Sequence, residues 1–424
     1  MGEDSSRYRV LVLTRFFPPY GTAGGSIRIV KWMRYLAPEG WHFTVLTQDP
    51  QKPINRSPDS CENLLGEIPA GTEVVRVPAP FTLADPVGLG WRGLLASTLW
   101  GMRTLWVALK KAPKVDLILA VALPFTTAWM GALLSRLKGK PLVLDLKDDF
   151  VGNPIQKFKS PMRRFLEKEA EVWVFRTCRA VSVVTPESLE VYRRRYPQFA
   201  ECIHYIPNGS DLEEIQQMKD VPQPPIDDHV FLILSTAGRY ESGYRDAGPF
   251  LQSLALFLNK MPEAHPHVQA VFLGNALGKE YQPLLEQHNL SGVVKNFPAV
   301  SRRELVGWLR RANLYFLAQP LGNTTAIAGT LYEYWAAGQA PILLFAEPGS
   351  AQRLVDERKL GRCFGFHQIQ DASDFMLQMY EVFQRGERVR IPQEGLEQYD
   401  RRKLAGEFGA LLDKVIQVSQ RRAV

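Results

Sequence analysis

The sequence predicts an α/β protein built from two doubly wound parallel-sheet lobes facing a cleft. Three observations lead there. Short, continuously apolar runs alternate with helical patterns through the first half, the signature of strands buried on both faces of a parallel sheet. The alternation stops at a polar, proline-rich segment and then restarts. Finally, 424 residues with 46% hydrophobic and 22% charged side chains make an ordinary globular mix, long enough for two large lobes.

In the first lobe the apolar runs lie at 8–14, 42–47, 73–77, 116–122, 141–146, 180–184 and 203–206. Between the first two, Ile29, Trp32, Met33 and Leu36 recur at i, i+3, i+4 and i+7, one face of a helix. Residues 117–135 (LILAVALPFTTAWMGALLS) are uncharged and reach membrane-spanning length. Pro124 divides them, so a buried strand followed by a helix over 126–138 is expected instead.

Residues 91–111 (WRGLLASTLWGMRTLWVALKK) read as one helix. Its Ser97, Gly101, Thr104 and Ala108 form a small-residue face. Arg92, Arg103 and Lys110, flanked by Trp100 and Trp106, form the other. With the small face packed inward, the basic and tryptophan face suits an acidic bilayer surface. The alternative is a core helix using Leu95, Met102, Leu105 and Leu109. The basic clusters Arg163–Arg164 and Arg193–Arg195 add to the membrane expectation.

After Pro207-Asn208-Gly209 the segment 212–229 carries three prolines in four residues and reads as a linker. Strands are then expected at 230–235, 268–273, 293–296, 314–318 and 341–345. The expected organisation is an N-terminal lobe over 1–211, the linker, a second lobe over 230–395, and a terminal helix within 396–424.

Lys plus Arg exceed Asp plus Glu by 51 − 44 = 7. So mild a surplus favours anionic partners such as phosphates or acidic lipid. It is too diffuse, with no recognisable module, for a nucleic-acid binder. Cys61, Cys178, Cys202 and Cys363 are scattered, so no zinc knuckle or redox pair is expected, and the usage fits a reducing, cytoplasmic setting. The acidic, polar start MGEDSSRYRV carries no secretory pattern.

Four motifs carry chemistry. FFPPYGTAGGS (16–26) follows the first strand and opens a helix. Gly24 and Gly25 would let a phosphate approach the helix N-terminus, with Ser26 as its cap. PLVLDLKDDF (141–150) sets Asp145, Asp148 and Asp149 at a strand's carboxyl end, where carboxylates can accept a proton or hold sugar hydroxyls. Gly238-Arg239 with Arg245 offers two guanidiniums at another strand end, suited to a diphosphate. AGTLYEYWAAG (328–338) reads as a helix from Gly329 to Gly338. Its first amides could take a phosphate and Glu333 a ribose, with Tyr332 and Trp335 in the core.

Taken together, these residues resemble the retaining nucleotide-sugar glycosyltransferases of family 4, the two-lobed GT-B type with Rossmann-like lobes, in their bacterial polysaccharide and lipid-linked glycan branch. The resemblance runs along nearly the whole chain. IPNGSD at 206–211 is similar to the family's IPNG-D signature, and the tail 399–419 resembles its helix crossing back to the first lobe. It implies a nucleoside-diphosphate sugar donor and a glycan or lipid-linked acceptor, with no metal and no separate cofactor. Gly24, Gly25, Gly238, Gly329, Thr330 and Leu331 would line the donor, and Glu333 would hold its ribose. Arg239 and Arg245 would clamp its diphosphate, while Asp145 and Asp148 would serve the acceptor. Base selection would fall near Phe297–Val300. Three positions depart from the pattern: Thr330 replaces a lysine, Thr325 replaces the paired acid, and Pro124-Phe125-Thr126 stands where a histidine is common. Those departures keep open a non-catalytic descendant acting as a binding subunit, and a two-lobed epimerase shares the architecture.

Overall fold

The computed structural model describes residues 7–19, 23–49, 62–78, 91–122, 125–152 and 161–421. They form two compact units, one of Met1–Pro207 with Arg401–Val424, the other of Asn208–Asp400.

The first unit holds strands β1 (Tyr8–Leu13), β2 (Trp41–Asp49), β3 (Glu73–Pro78), β4 (Leu117–Ala122), β5 (Leu142–Leu146), β6 (Ala180–Val183) and β7 (Ile203–Tyr205). They pair in the order β3-β2-β1-β4-β5-β6-β7, parallel throughout. β4 and β5 are wholly buried, because helices cover both faces. On one face lie α2 (Trp91–Lys111), α3 (Thr126–Lys138), α4 (Pro161–Thr177) and α5 (Pro186–Arg195). On the other lie α1 (Ala23–Leu36) and α13 (Arg401–Arg421). Ile29, Trp32, Met33 and Leu36 are all buried, and Trp32 stacks on Phe408 of α13 at 3.6 Å. The C-terminal helix is thus part of this unit's core.

The second unit has β8 (Phe231–Ser235), β9 (Val268–Leu273), β10 (Val294–Phe297), β11 (Leu314–Ala318), β12 (Ile342–Phe345) and β13 (Gly361–Phe364), in the order β10-β9-β8-β11-β12-β13 and again all parallel. Its helices are α6 (Leu212–Gln217), α7 (Gly248–Lys260), α8 (Gln282–Gln287), α9 (Arg302–Arg311), α10 (Gly329–Ala337), α11 (Ser350–Glu357) and α12 (Ile369–Gln384). α9 starts on a reciprocal cap between Ser301 and Glu304. Phe250 stacks on Phe316 at 3.9 Å and Tyr315 on Tyr334 at 4.4 Å, filling the space between helices and sheet.

Each strand expected from the sequence forms, and β13 is additional. Several expectations need correction. Ser26 is not a cap: α1 begins at Ala23, and Ser26 is enclosed within it. The segment 212–229 is no free linker. Part of it is α6, whose Ile215 is buried, and Arg310 and Arg303 donate to the carbonyls of Ile215 and Asp220. Residues 117–135 divide into β4 and α3 as expected, and among the described residues no helix is long and apolar enough to cross a membrane. The small face of α2 is buried as anticipated, but Trp100 goes with it, leaving Trp106 outward. Tyr20, Gly21, Thr22, Cys61 and Pro124 lie outside the described residues.

Candidate active site

Both sheets reverse their winding between the first strand and the fourth, β1 against β4 and β8 against β11. Loops leaving those neighbours part to opposite faces and open a crevice at the carboxyl ends. The residues picked out by sequence gather at these two switch points, each within its own unit.

In the second unit, Thr236–Ala247 follows β8. Arg239 is largely exposed and ion-paired with Glu241 at 2.9 Å, an arrangement worth little in water. Arg245 differs. It donates from Nη1 to the Gly238 carbonyl at 3.2 Å and lies 6.0 Å over the Tyr240 ring, while its Nε is buried with no hydrogen-bond partner among the described residues. A buried guanidinium donor with nothing to bind is uncommon unless a ligand supplies the acceptor. Gly238 is exposed, and a Cβ there would meet only Arg245 Nη1, at 3.5 Å.

The loop after β11 leads into α10, whose Tyr334 hydroxyl accepts from Thr236 N at 2.8 Å and ties the helix to the β8 loop. As expected, α10 runs from Gly329 to a left-handed Gly338, and Tyr332 and Trp335 are buried. Its first-turn amides belong to Gly329 and Thr330, which have no partner inside the helix. Leu331 must be removed from that group, because its amide already donates to Ala328 O at 3.0 Å and its side chain is buried. A Cβ on Gly329 would meet nothing within 4 Å, so packing does not explain the glycine.

Glu333, expected to hold a ribose, is itself held by Arg302 Nη1 at 2.9 Å, and Arg302 Nε reaches Glu214 at 3.2 Å. Burial opposes the Arg302 charge, yet Glu333 first and then Glu214 keep it firmly protonated. One Arg302 Nη2 atom remains buried without a hydrogen bond. Sequence inspection missed Arg302, since nothing local to residue 302 signals an acid 31 positions away.

In the first unit, Gly24 and Gly25 lie in the first turn of α1. Asp145 is fully buried rather than open to substrate. It faces Arg28 Nε at 3.3 Å and accepts from Ser182 Oγ at 2.8 Å. Arg28 also donates to the carbonyls of Pro207 (2.6 Å) and Ile206 (2.8 Å), so one side chain binds α1 to the ends of β5 and β7. Asp145 therefore positions Arg28, and Asp148 is half-buried rather than enclosed. Between them stands Lys147, which sequence reasoning passed over. Dense surroundings, helped by the Arg28 charge, press its ammonium down to about 8, against the pull of Asp145 and Asp148. Such a group exchanges a proton near neutrality.

Asp149 belongs to a different cluster. Burial works against its charge, but Arg195, bonded at 2.7 and 2.5 Å, prevails and holds the carboxyl below its ordinary range. Beside it, burial raises Glu171 to about 7, with the Asp149 charge adding to the effect. Tyr196 donates to Glu171 at 2.6 Å and Tyr192 at 3.3 Å. No group of three or more His, Cys, Asp or Glu side chains suited to a metal ion occurs among the described residues.

Comparison with known proteins agrees with this fold. Residues 23–209 match the family model described as a glycosyl transferase 4-like domain. No curated protein matches the sequence. Among solved structures, sucrose-phosphate synthase from Thermosynechococcus elongatus aligns over 98% of both chains at 16% identity and TM-score 0.60. HepE of Anabaena, solved in complex with UDP, aligns over 98% of both at 15% identity and TM-score 0.57. WaaG, a glycosyltransferase involved in lipopolysaccharide biosynthesis, aligns over 96% of this chain and 99% of its own at 13% identity and TM-score 0.63. The chain has the GT-B fold of two Rossmann-like domains, and these likenesses support glycosyl transfer in general.

Proposed function

We propose that this protein transfers a sugar from a nucleoside diphosphate to an acceptor hydroxyl, with retention at the anomeric carbon and without a metal ion. The observation that carries this reading is Arg245. It is a permanent cation at the switch point of the second unit, paired with no carboxylate among the described residues, its Nε buried and unsatisfied. A departing diphosphate supplies the missing acceptors. As the bond from the anomeric carbon to the donor phosphate breaks, negative charge grows on the diphosphate, and Arg245, Arg239 and the amides of Gly329 and Thr330 are fixed positive groups for it. They provide charge compensation that a cation would otherwise supply. Glu333, oriented by Arg302, offers acceptors for two ribose hydroxyls. That HepE was solved with UDP supports a nucleotide donor of this kind.

The first unit serves the acceptor. The acceptor hydroxyl enters on the face the diphosphate leaves, forming the new bond to the anomeric carbon as the bond to the donor phosphate breaks, and its proton passes to a diphosphate oxygen. Asp148 and Lys147, at the end of β5, are the groups proposed to meet the acceptor, and Asp145 keeps Arg28 in place beside them. A glycan or lipid-linked glycan is the acceptor class proposed.

Product analysis with purified protein, a panel of nucleoside diphosphate sugars and acceptor glycans tests this. Acceptor-dependent release of nucleoside diphosphate that survives a chelator, and falls about 100- to 1000-fold in Arg245→Ala, is expected. Release that needs no acceptor, an epimerised donor, or an Arg245→Ala enzyme as fast as wild type overturns it.

A further inference from the structure

Large apolar side chains left in water are scattered singly on most soluble proteins, and a concentration of them marks a docking surface. Twelve are exposed among the described residues, and nine of the twelve belong to α2, α3 and α4. These helices lie side by side on one face of the first unit's sheet. Gly101 of α2 permits close approach to α3, where a Cβ would lie 2.9 Å from Thr126 Cγ2. Arg136 of α3 bonds Thr177 at the end of α4 at 3.2 Å.

On α2 the outward stripe is Leu95, Met102 and Trp106, the last 62% exposed. On α3 it is Trp129, Leu133 and Leu137, four residues apart and so one above another. On α4 it is Met162, Phe165 and Leu166, all in the first two turns.

On α2 and α3 the charges around these stripes are of one sign, whereas α4 carries Glu167 and Glu169 beside Arg164 and Lys168. α2 and α3 contain no Asp or Glu, and carry Arg103, Lys110, Arg136 and Lys138; Lys111 is paired with Glu73 of β3. Lys110 Nζ sits 3.5 Å over the Trp106 ring, joining the cationic and aromatic parts. Lysine is depleted at the centre of protein–protein contacts. Tryptophan and aliphatic groups interleaved with lysine and arginine fit the headgroup level of an anionic bilayer, rings and chains entering the acyl boundary and cations meeting lipid phosphates.

We propose that the α2–α3–α4 face docks this protein on a membrane surface bearing anionic lipid. The strands that α3 and α4 follow, β4 and β5, end at the site side of the unit, and Phe125, just before α3, stacks at 3.8 Å on Phe150, two residues beyond Asp148. An acceptor anchored in lipid would be delivered there. That last point rests on the proposed transferase reading, whereas docking itself does not.

Sedimentation of the full chain with phosphatidylcholine vesicles, with and without phosphatidylglycerol, tests docking in the absence of any donor. Retention is expected on the anionic vesicles only, declining as salt is raised. Two double variants at exposed positions, Trp106→Ser with Trp129→Ser and Lys110→Glu with Lys138→Glu, should each weaken retention roughly tenfold or more while leaving thermal melting and donor binding unchanged. Absence of retention by the wild type overturns the proposal. So does retention of both double variants equal to that of the wild type. Concentration-dependent dimerisation abolished by the same substitutions, without vesicle binding, assigns the face to a second copy of this chain instead.

Discussion

Replacing Glu171 by Gln removes a carboxylate that folding encloses against its chemistry. The side chain is wholly buried, and burial raises it from an ordinary 4.5 to about 7. The folded protein therefore binds a proton more tightly than the unfolded chain does. At pH below 4.5 both states are protonated and nothing is lost, whereas above 7 both are ionised and the folded state bears the full cost of a buried charge. At about 1.4 kcal/mol per pH unit, wild-type stability should fall by about 3 kcal/mol between those limits. Glutamine retains an oxygen to accept from the Tyr196 hydroxyl but does not titrate. Urea unfolding followed by tryptophan fluorescence, at intervals from pH 5 to pH 8, should give a descending profile for wild type and one flatter by about 3 kcal/mol for Glu171→Gln. The difference between the two proteins isolates Glu171 from other titrating groups. His204, for example, is lowered by burial and by Lys414 and Arg193, so it acts oppositely, costing stability as pH falls. Parallel profiles would refute the assignment of this burial cost to Glu171.

Arg28→Met strands Asp145 without its charge partner, and unfolding free energy should drop by about 3–5 kcal/mol; a loss below about 1 kcal/mol would mean the pair is not structural. Arg302→Met leaves Glu333 and Glu214 facing one another, and a loss of about 2 kcal/mol together with weaker nucleotide binding is expected by denaturation and calorimetry. Gly329→Ala has open space around the new methyl, so melting should hold steady while donor affinity falls; unchanged affinity would remove the helix start from the donor site. Lys147 lies at about 8, below its ordinary 10.5, so its charge is disfavoured in the folded state and stability should rise as pH climbs through that interval. Lys147→Met should abolish both that rise and any change in turnover near pH 8.

Much of the fold was legible because buried parallel strands are written as continuous apolar runs. β4 (LILAVA) and β11 (LYFLA) are examples. α10 was legible because Gly329 and Gly338 bracket it, the latter adopting φ 66°. β13 was not, since GRCF holds no apolar run. What makes it a strand is contact: Gly361, at φ 151°, lies so close to β12 that a Cβ would sit 2.0 Å from Ile342 O. α6 was hidden by its polar sequence, its docking depending on Ile215 and on arginines from α9. The strand-end acids were visible from their position, but their partners were not. Arg28 and Asp145 stand 117 residues apart, and only folding decides that Asp145 is enclosed while Asp148 remains accessible.

The most direct measurement is calorimetric titration of the chain with a series of nucleoside diphosphates and their sugars, wild type alongside Arg245→Ala. Saturable heat with at least one of them, weakened about 100-fold by the substitution, is the predicted result. No heat from any, or identical isotherms for the two proteins, would contradict the placement of a diphosphate at Arg245.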